Sequence, residues 1–284
     1  MMNELLATII SGLIIDENEH FYFLQKNGQT FRLNKAEGAH QIGEMVEGFT
    51  YINQKQESCV TTKIPKVRKG HYAFATVTQV RKDLGVFVDI GISDKEMVVS
   101  CDELPTIREL WPKAGDQLFV SLRVDAKNRI WATLADEKMF KAMARKGQES
   151  QQNENVTGTV YRLKLAGSYL LTDDYYIGFV HPSERYQEPR LGEKVQARVI
   201  GLRPDGVLNL SMKPRAHEAI NDDAQMILAY LKRSQTQTMP YTDKSSPEAI
   251  KQMFGISKGQ FKRALGHLMK EKLIEQVDGQ TKLL

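Results

Sequence analysis

The chain has 284 residues, 41% of them hydrophobic and 26% charged, with a formal net charge of +4, which is long enough for two or more domains. Its two cysteines, Cys59 and Cys101, fall in different repeats, which suggests neither a disulfide framework nor a metal knuckle and suits a reducing cytoplasm. An apolar run at residues 5–15 follows Glu4 instead of a basic segment and is too short to span a bilayer, so it reads as a first barrel strand and not as a leader.

The first unit turns near Asp16-Glu17-Asn18-Glu19 and continues as His20-Phe21-Tyr22-Phe23-Leu24 and Thr30-Phe31-Arg32-Leu33. Between them Asn27-Gly28 favours a tight hairpin. A closing hairpin runs from Gly43-Glu44-Met45-Val46 to Ile64-Pro65, and the basic residues of 63–69 form a connector. The second unit begins at Gly70 with an alternating strand over 73–80, then Leu84-Gly85-Val86-Phe87-Val88-Asp89-Ile90, a polar turn at Ser93-Asp94-Lys95 and the strand Met97-Val98-Val99-Ser100. Its closing hairpin starts at Gly115-Asp116-Gln117-Leu118, turns at Ala126-Lys127-Asn128 and returns through Ile130-Trp131-Ala132. Residues 136–146 have helical composition, and the Gln-, Asn-, Glu- and Ser-rich tract after them reads as a linker.

The third unit repeats the plan with Thr157-Gly158-Thr159-Val160, Gly167-Ser168-Tyr169-Leu170-Leu171 and Gly178-Phe179-Val180-His181-Pro182-Ser183-Glu184. Its closing hairpin, residues 192–214, places Val195, Ala197 and Val199 on one face, turns at Arg203-Pro204-Asp205-Gly206 and brings Leu210 inward. Gly43, Gly115 and Gly192 start three copies of this hairpin 72 and 77 residues apart. Units of that size are too long for solenoid repeats and suit small barrels that each bury a core.

The tail changes period. Ile220, Ala224, Ile227 and Leu231 recur at helical spacing, with Leu228 widening the stripe. Ser245-Ser246-Pro247-Glu248 starts a second helix that runs to about Phe254; Gly255-Ile256 turns the chain, and Ser257 caps a third helix burying Phe261, Ala264, Leu265 and Leu268. The turn Asp278-Gly279 makes a two-stranded ribbon, which completes a winged helix. The fold class expected is therefore mainly β with an α+β tail: small OB-fold barrels at 1–64, 65–146 and 147–215, the first degenerate and acidic, then a winged helix at 216–284.

Charge is unevenly distributed. Residues 1–60 hold 4 basic against 8 acidic side chains, 61–150 hold 16 against 12, 151–225 hold 9 against 10, and 226–284 hold 10 against 5. A basic second unit and a basic tail point to a polyanion, although solvated surfaces alone produce such imbalances. No phosphate loop, nucleophile elbow, metal-binding His pair or Cys pair occurs, so no cofactor, metal or enzymatic activity is expected. Asp89, Asp173 and Asp174 share no spacing and read as solvated or turn residues. Aromatic rings beside cations on small sheets are what single-strand binders use, with bases stacking on the rings and Arg or Lys holding the backbone.

The glycine-aromatic strand, the Gly-Phe-Val-His-x-Ser run of the third unit, Gly-Glu-x-Val and Leu-Ser-x-Lys together resemble the RNA-binding OB module of ribosomal protein S1. That resemblance implies a nucleic-acid face matched at Phe87, Asp125 and Arg129 in the second unit and at Tyr169 and His181 in the third. The match is partial: Leu84 stands near a position often aromatic, Ser100 where His is usual, and Arg203 in the place of the Asp. The first unit has neither the glycine-aromatic pair nor the His run, and Phe31 is the aromatic it offers for comparison with Phe87. An aromatic in a strand also packs inward more often than it is exposed, and a lone His is more often structural than a ligand.

On the third tail helix Lys262, Arg263 and Lys270 lie away from the apolar face, and Gly259 and Gly266 leave room for another backbone. Over its full length, most specifically at Met239-Pro240-Tyr241-Thr242-Asp243-Lys244-Ser245-Ser246-Pro247 and Phe254-Gly255-Ile256-Ser257-Lys258, the sequence resembles the conserved virulence factor B family of Gram-positive bacteria. The resemblance implies RNA binding and post-transcriptional influence on gene expression, virulence genes included, and with the stacking residues above the expected ligand is single-stranded RNA. Two other readings stand beside it: a scaffold in an RNA-processing or ribosomal assembly, with the acidic first unit or the winged helix as protein docks, and a DNA-binding regulator led by the winged helix.

Overall fold

The computed structural model describes residues 2–284, the side chains of residues 2 and 216–221 excepted; Ile220 of the expected helical stripe therefore lies outside the described side chains. Two compact units divide the chain, Met1–Met212 and Lys213–Leu284.

The first unit contains three closed five-stranded barrels of the OB type. After a short helix α1 (Met2–Leu5), the first barrel is built from β1 (Ile9–Glu17), β2 (Phe21–Lys26), β3 (Gln29–Asn34), β4 (Met45–Ile52) and β5 (Ser58–Thr61). The second uses β6 (Ala73–Arg81), β7 (Gly85–Asp89), β8 (Met97–Ser100), β9 (Gln117–Val124) and β10 (Ile130–Leu134). Helix α2 (Glu137–Met143) leads to the third, made of β11 (Asn155–Lys164), β12 (Gly167–Thr172), β13 (Ile177–Val180), β14 (Lys194–Leu202) and β15 (Leu208–Ser211). Every barrel closes the same way: the first three strands meander, the third pairs in parallel with the fifth, and the fourth joins fifth to first. Each first strand carries a bulge, after Ile14, Val77 and Val160, which adds the twist that lets one strand serve two neighbours.

Period-two alternation supplies the cores. Leu24, Phe31, Leu33 and Phe49 fill the first barrel, and Val86, Val88, Met97, Val99 and Val120 the second, within one continuous apolar cluster; Leu170, Val180, Leu208 and Leu210 fill the third. Gly85 and Gly167 open β7 and β12 with φ of 138° and 144°, and a Cβ there would lie 2.0 Å from the Val99 carbonyl oxygen and 2.4 Å from that of Val180. Only glycine admits that crossing, which is the physical content of the glycine-aromatic pair.

Several expectations are corrected. The first strand begins at Ile9, not at residue 5, because Ala7 sits at φ 61° and breaks the extended run; Leu6 and Ala7 are buried. The helix expected over 136–146 is shorter: Asp136 caps it by accepting from the Met139 amide, and the chain turns extended at Ala144. The supposed linker is the edge of the third barrel. Gly147 donates to the Gly206 carbonyl, and Asn153 and Val199 are joined through Asn153 N–H to Val199 O at 2.9 Å. Phe31 is fully buried and so belongs to the core.

Ordered joints tie the barrels together. The basic connector is a strap in which the Arg68 carbonyl accepts from Leu122 N–H and Ser121 Oγ, while Lys69 N–H donates to Ala7. Asn3 Nδ2 reaches the Asp125 carbonyl at 2.9 Å. Between the second and third barrels the Arg190 guanidinium meets the Asp116 carboxylate at 3.1 Å, and Gln117 N–H donates to Gly192. Beside them Phe140 of α2 stacks on Tyr161 of β11, and Glu137 pairs with Lys164 and Arg162.

The second unit is a winged helix: α3 (Ala216–Arg233), β16 (Thr238–Met239), α4 (Pro247–Phe254), α5 (Lys258–Lys270), β17 (Ile274–Val277) and β18 (Gln280–Leu283). Ser246 caps α4, Gly255 ends it at φ 70°, and Ser257 with Gln260 forms a reciprocal cap on α5. Ala224, Ile227, Leu231, Ile250, Phe254, Phe261, Ala264, Leu265 and Leu268 make its core. The wing has three strands instead of the expected two, because Met239 pairs with Thr281. No helix among the described residues is long and apolar enough to cross a membrane.

Candidate nucleic-acid interface

Strand register aligns the three barrels residue by residue. The position one step beyond each bulge pairs Asp16 with Phe23, Gln79 with Phe87 and Arg162 with Tyr169. Phe23, Phe87 and Tyr169 are therefore equivalent, all half-buried on the outer wall of the second strand. Phe87 thus faces outward and not into the core. Phe23 was missed in the sequence because Phe21 replaces the glycine that marks the other two strands; the signal that finds it is register.

The second barrel assembles the most complete set. Beyond Phe87 the outer row continues across Val98, its partner on β8, to Trp131 on β10, which pairs with Arg123. The guanidinium carbons of Arg129 and Arg123 lie 5.4 and 5.7 Å from the Trp131 ring centroid. Asp125 organises this end of the barrel. Its carboxylate accepts from the amides of Arg129 and Lys127 at 2.9 Å, from Arg129 Nε at 2.7 Å and from Trp131 Nε1 at 3.2 Å. These bonds, the Arg129 amide first among them, hold the carboxyl far below the usual carboxylate range. Asp125 is thus a positioning residue for Arg129 and Trp131. Trp131 itself was not singled out in the sequence, although its alternation with inward Ile130 and Ala132 carries the signal.

In the third barrel Tyr169 lies beside Phe179, ring centroids 5.0 Å apart, with Lys164 Nζ 5.1 Å from the Tyr169 ring. Arg203 takes the hairpin position held by Asp125, since its amide bonds to Val207 as that of Asp125 bonds to Arg129. Its guanidinium covers the buried Phe179 ring at 3.9 Å while Nε donates to Asn209 Oδ1. His181 caps the short 3-10 turn Pro182–Glu184: Nδ1 accepts from the Ser183 amide and lies 2.7 Å from Ser183 Oγ. Ser100 and Asn34 cap the corresponding turns of the other two barrels. The position held by His181, Ser100 and Asn34 is therefore first a cap.

The first barrel's face is occupied by its own pairs. Arg32, opposite Phe23, forms an ion pair with Glu57, which also bonds to Asn53. Tyr51 shares a cleft with Asp94 from the second barrel, and burial, with that carboxylate nearby, pushes the phenol above its usual range. Glu37, Glu57 and Asp94 all line the small cleft there, of about 300 Å³.

On the winged helix Lys262, Arg263 and Lys270 are exposed on α5, opposite Phe261, Leu265 and Leu268. Arg263 and Lys270 share one side with Gly266, around which a Cβ would meet nothing within 4 Å. Asp223 of α3 feels the Arg263 charge, although burial dominates and raises its carboxyl pKa. Among the described residues no group of three or more His, Cys, Asp or Glu side chains is placed to hold a metal ion.

Family models tile the chain. Residues 8–63 match the S1 domain, 72–133 the first S1-like domain of CvfB, 140–214 the second domain of the virulence regulatory factor CvfB and 225–283 the CvfB-like winged helix domain. A crystal structure of a multidomain protein with nucleic acid binding domains from Streptococcus pneumoniae is 52% identical, covers 99% of both chains and superposes with a TM-score of 0.72. The uncharacterized protein YitL of Bacillus subtilis is 41% identical over 95% of this chain and 91% of its own. Conserved virulence factor B of Staphylococcus epidermidis is 42% identical over 90% of this chain and 87% of its own. With three S1-like barrels, the winged helix and this identity along nearly the whole length, the chain belongs to the conserved virulence factor B family.

Proposed function

We propose that the protein binds single-stranded RNA without turning it over and acts in the cytoplasm as a post-transcriptional regulator of gene expression, virulence genes included. The observation that carries this reading is the outer wall of the second barrel, where Phe87, Val98 and Trp131 form an apolar row bracketed by Arg123 and Arg129. A flat, half-exposed ring offers every base a stacking surface, and the neighbouring cations neutralise phosphates. Tyr169 with Lys164 and Arg203 supplies a second, smaller grip on the third barrel, with His181 at its rim, and Lys262, Arg263 and Lys270 a third on the winged helix.

A titration with fluorescent single-stranded RNA, single-stranded DNA, duplex RNA and duplex DNA at two salt concentrations tests this. Single-stranded RNA should bind best, with single-stranded DNA a weaker ligand, and affinity should fall as salt rises because phosphate contacts release counterions. Preference for duplex DNA would put the winged helix in charge of a DNA regulator. Failure of all nucleic acids to bind would leave a scaffold whose first barrel, its face already engaged by Asp94, and winged helix dock proteins.

A further inference from the structure

The first barrel presents two quite different surfaces. Its outer wall is acidic and internally paired, as described above. Around the corner, its hairpin tip faces the second barrel across a groove of about 610 Å³. The hairpins of the two barrels are equivalent there: Gln56 and Asn128, with φ of 63° and 60°, occupy the same left-handed turn position and both line the groove.

The groove's chemistry is one-sided. From the second barrel come the Trp131 ring, Val98 and three cations, Lys95, Lys127 and Arg129. The first barrel contributes neutral groups, the Gln29 and Gln56 amides with Ser58 and Ile52. None of its lining residues is acidic, although this barrel carries the chain's largest excess of acid, whereas the neighbouring cleft has three carboxylates. Burial lowers the pKa of Lys95, with the Asp94 charge opposing it, so Lys95 is a partly desolvated cation on this bank.

We propose that the first two barrels form one composite site, in which a single strand of RNA leaves the Phe87 row over Trp131 and enters the groove between the hairpin tips. There Lys95, Lys127 and Arg129 hold the phosphates, and the Gln29 and Gln56 amides form the opposite bank, donating to and accepting from base edges. The first barrel thus takes part through its edge and not through the wall its homologous position would suggest. The volume suits a nucleotide-sized occupant, since ligand sites run from roughly 300 to 1,000 Å³. This inference rests on the single-strand-binding reading.

The test uses the full chain carrying Gln29→Glu and Gln56→Glu, near-isosteric changes that put two negative charges on the neutral bank. Affinity for single-stranded RNA should fall about tenfold at low salt, like charges across an interface being strongly unfavourable. The neutral pair Gln29→Ala and Gln56→Gly should give a smaller loss, which separates lost hydrogen bonding from added charge. In parallel, 4-thiouridine RNA crosslinked to the parent protein should mark peptides from both banks, one with Trp131 and one with Gln56. Crosslinks confined to the second barrel, with unchanged affinity in the Glu variant, would overturn the composite site and leave single-strand binding intact. No binding of single-stranded RNA by the parent would sink both.

Discussion

Phe140 of α2 stacks on Tyr161 of β11 with ring centroids 3.8 Å and planes 16° apart, the closest aromatic pair among the described residues. Phe140 also meets Phe119 on β9, and Tyr161 approaches Tyr169, so a run of rings joins the second barrel to the outer wall of the third. A stacked joint of this kind fixes the spacing of the two walls, where a flexible linker would leave it free. Phe140 is nearly inaccessible, and truncating a buried Phe costs about 3–5 kcal/mol. Phe140→Ala should lower the denaturation midpoint and raise the radius of gyration seen by X-ray scattering. An unchanged radius with a large loss of stability would show that Phe140 packs the core without setting the spacing.

Phe87→Ala should weaken single-stranded RNA binding by roughly five- to a hundredfold, the range of about 1–3 kcal/mol for a lost base stack. The informative control is Phe23→Ala, since Phe31 is core and its loss would unfold the barrel. Phe23 occupies the same register position but faces Arg32, which is paired with Glu57, so its removal should change affinity less than about twofold. Anisotropy titrations on folded proteins decide between them; a larger loss for Phe23→Ala would move the site to the first barrel.

The barrels and the winged helix were legible because alternation, Gly-containing turns and caps are local signals. Ser246, Ser257 and Gly255 take up the caps that their spacing announces. What was hidden depends on register or on distant packing. Phe23 aligns with Phe87 only after the bulge at Ile14/Asp16 is known, and the cover that Asp94 places over Tyr51 joins residues 43 positions apart. The Asp125-to-Arg129 hairpin was visible in sequence, but not that Asp125 serves Arg129 and Trp131 through three hydrogen bonds. Likewise His181 stood out as a candidate, whereas its role as a turn cap emerges only beside Ser100 and Asn34.

The Asp125 bonds predict a pH window. A carboxyl whose folded pKa is depressed contributes stability that is fully present above its unfolded value, about 3.9, and is lost as pH falls below it toward the folded value. Asp125→Ala should therefore be less stable than the parent by a constant margin from pH 5 to 8. That margin should narrow at pH 3, where the parent begins to lose the same contribution. Paired chemical denaturation curves at pH 7, 4 and 3 measure it, and a margin that does not narrow at pH 3 would contradict the assignment.

Two tryptophans make fluorescence a direct probe. Trp111 is buried, with its indole N–H donated to the Pro105 carbonyl at 2.6 Å, so it should ignore RNA. Trp131 is half-buried on the outer row and lines the inter-barrel groove. RNA should quench emission in the parent, and Trp131→Phe should abolish the quenching while retaining most of the affinity, because a phenyl ring still stacks. Quenching that survives in Trp131→Phe would mean that RNA does not reach this wall.

The last prediction concerns how the tail adds to the barrels. A single OB barrel with a partial face binds weakly, but several grips on one chain turn each later contact into an intramolecular one and raise the overall affinity without any stronger single contact. Helix α5 is the candidate for an additional grip: Lys262, Arg263 and Lys270 are exposed, and Phe261, Leu265 and Leu268 hold the opposite face in the core. Surface charge changes rarely unfold a helix, so Lys262→Glu with Arg263→Glu should leave the melting curve close to the parent's. A long single-stranded RNA that can touch barrels and tail together should lose affinity in this variant, while an oligonucleotide short enough for the barrels alone should bind as before. Equal binding of both RNAs by parent and variant would make the tail a protein dock or a spacer, and the scaffold reading would then hold for that domain.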